Sequence, residues 1–141
     1  MSDVTIANIL QHARQCLGTP FHHQGRLLAF GLDCAGVVIH VARQIGVEAI
    51  DVSGYGATPN HAQLENSLNN QPCLERVAVG ERQPGDILLM RFLSDPQHLA
   101  ICAGDTIIHA YAQVGACVEH RLSSLWAARI VSVYRFRGVT P

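Results

Sequence analysis

Lysine is missing altogether: the ten basic residues of this 141-residue chain are all arginine, against eleven acidic residues and a formal net charge of −1. Those arginines run singly from Arg14 to Arg137 and form no cluster. A near-neutral chain without a basic patch is not built to track nucleic acid or an anionic membrane surface. Nowhere are there the roughly 18 consecutive apolar residues of a membrane span, so no membrane insertion is expected. The opening Met1-Ser2-Asp3-Val4-Thr5 has neither the basic segment nor the apolar run of a signal peptide, which predicts synthesis in the cytoplasm. Five cysteines (Cys16, Cys34, Cys73, Cys102, Cys117) are an odd number at irregular spacings with no C-x-x-C pair, which excludes a disulfide framework, a zinc ribbon and a thioredoxin-type site. Reduced thiols are expected. A chain of this length, read as one domain over residues 1–141, buries roughly two-thirds of its unfolded surface without staples.

What is present centres on Gly31-Leu32-Asp33-Cys34-Ala35-Gly36-Val37-Val38-Ile39-His40. Counting from Cys34, the apolar residues Val37, Val38, Val41, Ala42 and Ile45 stand at offsets of 3, 4, 7, 8 and 11, one face of a helix. Cys34 therefore opens a helix and lies on its apolar stripe. Such a cysteine is either a small core residue or a nucleophile, since free N–H groups and the positive end of the helix dipole favour thiolate.

Before it, Val4 to Leu17 carries an amphipathic pattern through Ile6, Ile9, Leu10, Ala13 and Leu17, with Ser2 or Asp3 as N-cap and Gly18 as stop. Gly18-Thr19-Pro20-Phe21-His22-His23-Gln24-Gly25 breaks the helix and reads as a structured loop leading to Cys34. Paired His22 and His23, with only the thiol as an obvious third ligand, are too few for a metal site and are expected to line or flank a cleft. After Gly46 the stretch from Val52 to Pro59 is loop, with Tyr55 as an aromatic bordering the cleft. A short helix capped by Asn60 and carrying Leu64 and Leu68 follows, with His61 facing solvent in its first turn. Leu74–Val79 is a weak strand, Ile87–Phe92 a nearly continuous apolar and hence central strand, and Ile130–Phe136 a last strand.

The second informative stretch runs from His98 to Tyr111. Two β-prone runs meet at Gly104-Asp105, a two-residue hairpin signal. With that turn, facing residues have numbers summing to 209, as Ala103 and Thr106 do, so Ala100 opposes His109 and His98 opposes Tyr111. His98, Ala100, His109 and Tyr111 then share one face, the two imidazoles as diagonal neighbours roughly 7–8 Å apart at the backbone. The alternative is two unrelated polar residues on a half-buried sheet. Together the pieces form a nucleophile at a helix N-terminus (Cys34), a base (His98) and a group that holds the base's tautomer (His109).

These residues also carry a resemblance. Gly18-Thr19-Pro20-Phe21, Asp33-Cys34-Ala35-Gly36-Val37-Val38, Pro84-Gly85-Asp86-Ile87, His98-Leu99-Ala100-Ile101 and Ile107-Ile108-His109-Ala110 resemble, in order, the successive blocks of the NlpC-type cell-wall cysteine peptidases. The opening through Gln24 is similar to the branch found with phage tail genes. The resemblance implies an α+β papain-like fold, with the cysteine-bearing helix packed on a central antiparallel sheet. It implies a cysteine peptidase that hydrolyses peptidoglycan stem peptides, commonly between D-glutamate and the diamino acid. By position Cys34 matches the nucleophile, His98 the base and His109 the orienting residue, with no cofactor or metal. Phe21, His23, Asp33, Ala35 and Tyr111 are the candidate substrate-binding residues.

Three positions depart from the family pattern: Phe21 stands where many members have tyrosine, Ala35 where many have serine, and His23-Gln24 replace a tryptophan-glycine pair. Each removes or changes a side chain beside the expected substrate path. Without a leader, action on the wall implies delivery, for instance in a phage tail tip or by a secretion device. The competing expectations are an amidase or acyltransferase with the same triad, and a non-catalytic phage tail protein that keeps the fold.

Overall fold

The computed structural model describes residues 3–51, 63–92 and 95–141, with side chains of residues 95 and 96 left aside. The expected Tyr55, Asn60 and His61 lie outside the described residues. Helix α1 (Ile6–Gln15) is capped by Thr5, whose hydroxyl accepts the Asn8 N–H at 3.1 Å, and not by Ser2 or Asp3. The later cap shortens the helix. Ile9 and Ala13 face the core, whereas Leu17 falls beyond the last turn and is 40% exposed.

The loop after Gly18 folds into an arm of two short antiparallel strands, β1 (Arg26–Leu27) and β2 (Gly31–Leu32), which feeds directly into helix α2 (Cys34–Gln44). The Asp33 carboxylate caps α2 by accepting the Gly36 N–H at 2.8 Å. Cys34 is thus the first residue of the helix, and Val37, Val38, Val41 and Ala42 form its buried stripe, as the sequence spacing predicts. Helix α3 (Gln63–Asn69) adds Leu64 and Leu68 to the same core.

Six antiparallel strands make the sheet: β3 (Leu74–Val77), β4 (Ile87–Phe92), β5 (Asp95–Cys102), β6 (Thr106–Tyr111), β7 (Ala116–Arg121) and β8 (Ile130–Phe136). Their spatial order is β3-β8-β4-β5-β6-β7. The unbroken apolar run of β4 follows from its position between β8 and β5 and from cover on both faces. Ile87 and Leu89 join the core shared with α1, α2 and α3, while Leu88 and Met90 join a second cluster with Ala100, Cys102, Ile107 and Val133. Each Ile, Leu, Met and Val among these contributes roughly 1.5–3 kcal/mol of burial. Asp86, 1% exposed, ends the preceding turn in a two-pronged ion pair with Arg135 of β8 at 2.8 and 2.9 Å.

The hairpin between β5 and β6 has the expected register, Cys102 facing Ile107 and Ile101 facing Ile108, closed by Ala103 N–H to Thr106 O at 2.9 Å. Gly104 takes φ +89° in the turn, which a glycine adopts without strain. Strand β7 and a one-turn helix α4 (Ser124–Ala127) were not read from the sequence. The β4–β5 ladder shifts register between Met90 and Arg91, immediately beside the Met90–His98 pair. Such an irregularity bends the strand and re-aims a side chain.

Candidate active site

The arm before α2 is built to hold its N-terminus still. Asp33, 3% exposed, uses Oδ1 for the Gly36 amide and for Arg26 Nη1 at 2.8 Å, and Oδ2 for the Gln24 amide at 3.0 Å. Gln24 sits at φ +60°, an uncommon conformation for a side-chain-bearing residue that this bond helps to hold. Arg26 in turn binds Asp51 through Nε at 3.0 Å. Asp33 is therefore placed as the cap of the cysteine helix, with its carboxylate turned into protein contacts.

Cys34 is partly exposed as a residue and packs against the core beneath α2. The backbone N–H groups of Leu99 and Ala35 reach it, which puts the thiol one residue along β5 from His98. Burial, reinforced by the Asp33 carboxylate, pushes the thiol up to about 12 against the opposing pull of those two amides and Arg26. The expectation of a thiol lowered by the helix dipole is thereby corrected. Loss of hydration and an adjacent carboxylate outweigh the partial charge of a helix end.

On β5 and β6 the two imidazoles meet: His98 Nε2 lies 2.6 Å from His109 Nδ1. Both rings are buried, His98 at 5% and His109 at 0% exposure. Burial, with smaller contributions from His109, Arg129 and His120, drives His98 well below the usual imidazole range. His109 is lowered to about 4 by burial and by His120. Among the described residues no hydrogen bond joins the Cys34 thiol to His98, whose Nδ1 is the ring nitrogen left for it once Nε2 is taken by His109. Resting thiol–imidazole contacts of this kind commonly tighten only when substrate is bound.

The rings are framed by aromatic side chains. Tyr111 stacks on His109 with centroids 5.2 Å apart and lies 5.9 Å from the His98 ring, so the expected grouping of His98, His109 and Tyr111 is present. Phe92 packs against His98 at 5.0 Å, and Trp126 stands edge-on to His109 at 5.2 Å. Arg129 covers Trp126 at 4.5 Å and Phe92 at 5.2 Å, placing a cation where it disfavours a second proton on His98.

The remaining candidates are spread over the arm and the start of α2. Ala35 lines, with Leu99, Val38, Ile39 and Leu64, a largely apolar cavity of about 340 Å³. Phe21 bridges to Leu32 and is held by its amide to Gly115 O at 2.8 Å, its ring packing against the core. His23, half-buried, stands 3.4 Å from the Gln24 side-chain amide through Nε2. His22 and His40 are elsewhere: His22 bonds the His23 carbonyl at 3.0 Å, and His40 reaches Gln15 on α1 at 3.1 Å. Phe92, Trp126 and His120 complete the surroundings of the imidazoles without having been assigned from the sequence. Only the alternation of Val118 and His120 on a strand opposite His109 would have signalled the last of them.

A cysteine at a helix N-terminus, laid against an antiparallel sheet that carries a histidine pair, defines the papain-like arrangement. The chain belongs to the NlpC/P60 family, whose model matches residues 18–135. Solved structures of similar fold include an NlpC/P60 family protein from Bacillus cereus (TM-score 0.70, 16% identity, covering 94% of this chain and 40% of that one). The NlpC/p60 domain of the peptidoglycan hydrolase SagA is similar at TM-score 0.66 and 21% identity, over 92% of this chain and 97% of that one. The peptidoglycan hydrolase RipB from Mycobacterium tuberculosis is similar at TM-score 0.67 and 17% identity, over 92% of this chain and 63% of that one. The chain thus spans less than two thirds of the length of the B. cereus protein and of RipB, and nearly all of the SagA domain. Among curated proteins none matches it. No helix among the described residues is long and apolar enough to cross a membrane.

Proposed function

We propose that this chain is a cysteine hydrolase of peptidoglycan, a single peptidase domain that cleaves stem peptides at the bond between D-glutamate and the diamino acid. The observation that carries the reading is Cys34 at the start of α2, laid against the core beside β5, with His98 of β5 held by His109 at 2.6 Å. Membership of the NlpC/P60 family supports it, as do two structural neighbours named as peptidoglycan hydrolases.

In the first half-reaction the Cys34 sulphur attacks the scissile carbonyl carbon while its proton passes to His98 Nδ1. The Cys34 N–H at the helix end, which has no carbonyl to bond within the helix, receives the developing oxyanion. His98 then gives the proton to the leaving amine, and the C–N bond breaks to leave a thioester. In the second half, water attacks the thioester, His98 takes a proton from it, and the thiol is regenerated with release of the carboxylic acid. A thiol raised to about 12 and a lowered His98 make the resting pair neutral, so proton transfer accompanies attack. His109 only keeps the base oriented. Tyr111, stacked on His109, walls the site, and the cavity beside Ala35 offers room for a substrate side chain. Phe21 and His23 lie along the arm toward the substrate, and Asp33 serves the site by holding the start of α2.

Mass spectrometry of purified muropeptides incubated with the protein tests this: the expected products are the paired fragments of one peptide cleavage, absent with Cys34→Ala. Uncleaved muropeptides, or equal cleavage by Cys34→Ala, would remove the assignment. Delivery to the wall by a phage tail or secretion device is proposed from the Gly18–Gln24 opening alone, and co-purification of the protein with tail particles checks it.

A further inference from the structure

The imidazole pair is not the end of its chain. His109 Nε2 lies 2.8 Å from His120 Nε2, and His120 Nδ1 lies 2.9 Å from the carbonyl oxygen of Arg121. Three rings from three adjacent strands, β5, β6 and β7, are therefore linked nitrogen to nitrogen and finish on a backbone carbonyl.

A carbonyl oxygen has no proton to offer, so the bond at Arg121 is made by a proton on His120 Nδ1. A neutral His120 then has a bare Nε2, which only accepts. The proton in the 2.8 Å contact accordingly sits on His109 Nε2. A neutral His109 has a bare Nδ1, so the proton in the 2.6 Å contact sits on His98 Nε2. That leaves His98 Nδ1 bare, the form a base must have. With one proton on each ring, each passes its polarity to the next.

We propose that His120 is a positioning residue, fixing through His109 the tautomer of His98 that accepts the Cys34 proton. The inference rests on the reading of His98 as the base of a cysteine hydrolase, and it goes beyond the three-residue site by placing the origin of the tautomer in a backbone carbonyl of the edge strand β7. Three features of the surroundings support it. Burial keeps His98 and His109 neutral. Trp126 packs on both His109 and His120, at 5.2 and 5.0 Å between centroids, and restrains both rings. Ser123 caps α4 by accepting the backbone N–H of Trp126, which holds the turn that carries the indole.

The test is nitrogen-15 NMR of histidine-labelled protein, in which long-range proton–nitrogen correlations assign the protonated nitrogen of each ring, read beside the kinetics of two variants. His120→Gln offers a carbonyl oxygen to His109, and His120→Lys offers donors only. His120 is half-exposed, so both side chains have access to solvent. In wild type and His120→Gln the expected His98 proton is on Nε2, with kcat within about threefold of each other. In His120→Lys every bond reverses, the His98 proton moves to Nδ1, and kcat falls by about 10²–10⁴-fold, the range of wrong-tautomer triads, while KM stays within about twofold. A wild-type His98 protonated on Nδ1 overturns the proposal without any variant having to fold. An unmoved His98 proton or unchanged kcat in a folded His120→Lys protein also overturns it. Turnover that survives Cys34→Ala would instead sink the hydrolase reading, which the tautomer measurement does not touch.

Discussion

Arg26 Nη1 lies 2.8 Å from Asp33 Oδ1, and the same oxygen accepts the Gly36 amide, so one carboxylate fastens the two-stranded arm to the helix that starts with Cys34. Asp33→Asn keeps an oxygen for the cap but removes the charge that raises the Cys34 thiol. The expected outcome is a thiol that ionises at lower pH than in wild type, read from the pH dependence of alkylation at Cys34. Asp33→Ala loses the cap as well, and urea denaturation should show a loss of about 0.5–2 kcal/mol. An Asp33→Asn profile identical to wild type would mean that the carboxylate does not act on the sulphur.

With the thiol raised to about 12 and His98 lowered, the resting site holds no preformed ion pair. The difference in thiolate ultraviolet absorbance between wild type and Cys34→Ala should be near zero at neutral pH and grow only in alkali. The acid limb of kcat/KM should lie below the ordinary imidazole range, because a lowered His98 remains an unprotonated base as pH falls. A limb at or above the ordinary range would contradict this.

His109 is held at about 4 against an ordinary 6.5. Above 6.5 neither the folded nor the unfolded chain protonates it, and its effect on stability is constant. Between 6.5 and 4 the unfolded chain takes up a proton that the folded one refuses, so stability falls as pH falls, by about 3 kcal/mol over the window. Urea midpoints across that range should show the decline, to which the lowered His98 adds, and His109→Gln should make it shallower.

His109 acts on His98 only as an acceptor at Nδ1, a position that the oxygen of asparagine can take. His109→Asn should therefore keep appreciable kcat, whereas His109→Ala should lose roughly two to four powers of ten with KM little changed. Wild-type kinetics in His109→Ala would remove it from the site.

Glycine in a helix is ordinarily less stable than alanine by about 0.5–1 kcal/mol. At Gly36 the sign should invert, because a Cβ there would run into the carbonyl oxygen of Gly25, which passes across the first turn of α2. Gly36→Ala is expected to lose about 1–3 kcal/mol by urea denaturation and to cut activity, since the backbone that carries Cys34 must shift. A stabilised Gly36→Ala protein would show that the arm does not clamp the helix.

What the sequence discloses here follows from periodicity. The offsets after Cys34 specify α2 and its buried stripe, and one glycine-aspartate turn specifies the register that brings His98 and His109 onto one face. Strand β7 escaped because Glu119, His120 and Arg121 give it a polar, half-exposed edge with little apolar alternation, and α4 because four residues carry no helical period. Thr5 replaced Ser2 or Asp3 as cap because several neighbouring residues can cap and the choice is made by where the chain enters the core. The thiol's ionisation is illegible in the sequence for a different reason. A helix dipole is visible in a sequence, but the dehydration of a sulphur under Leu99 exists only once the layers have packed.

The order of the elements along the chain has a consequence for folding. His98, His109 and His120 sit on consecutive hairpin strands, so their linkage needs only short loops to close. Cys34 comes far earlier and reaches β5 only by docking α2 over the sheet, a contact of high sequence separation that costs more loop-closure entropy than the hairpins do. The Cys34 sulphur and the His98 ring are therefore joined across two layers, and the sheet by itself carries the imidazole ladder without a thiol beside it. The meeting of thiol and imidazole in this protein is a report on completed docking.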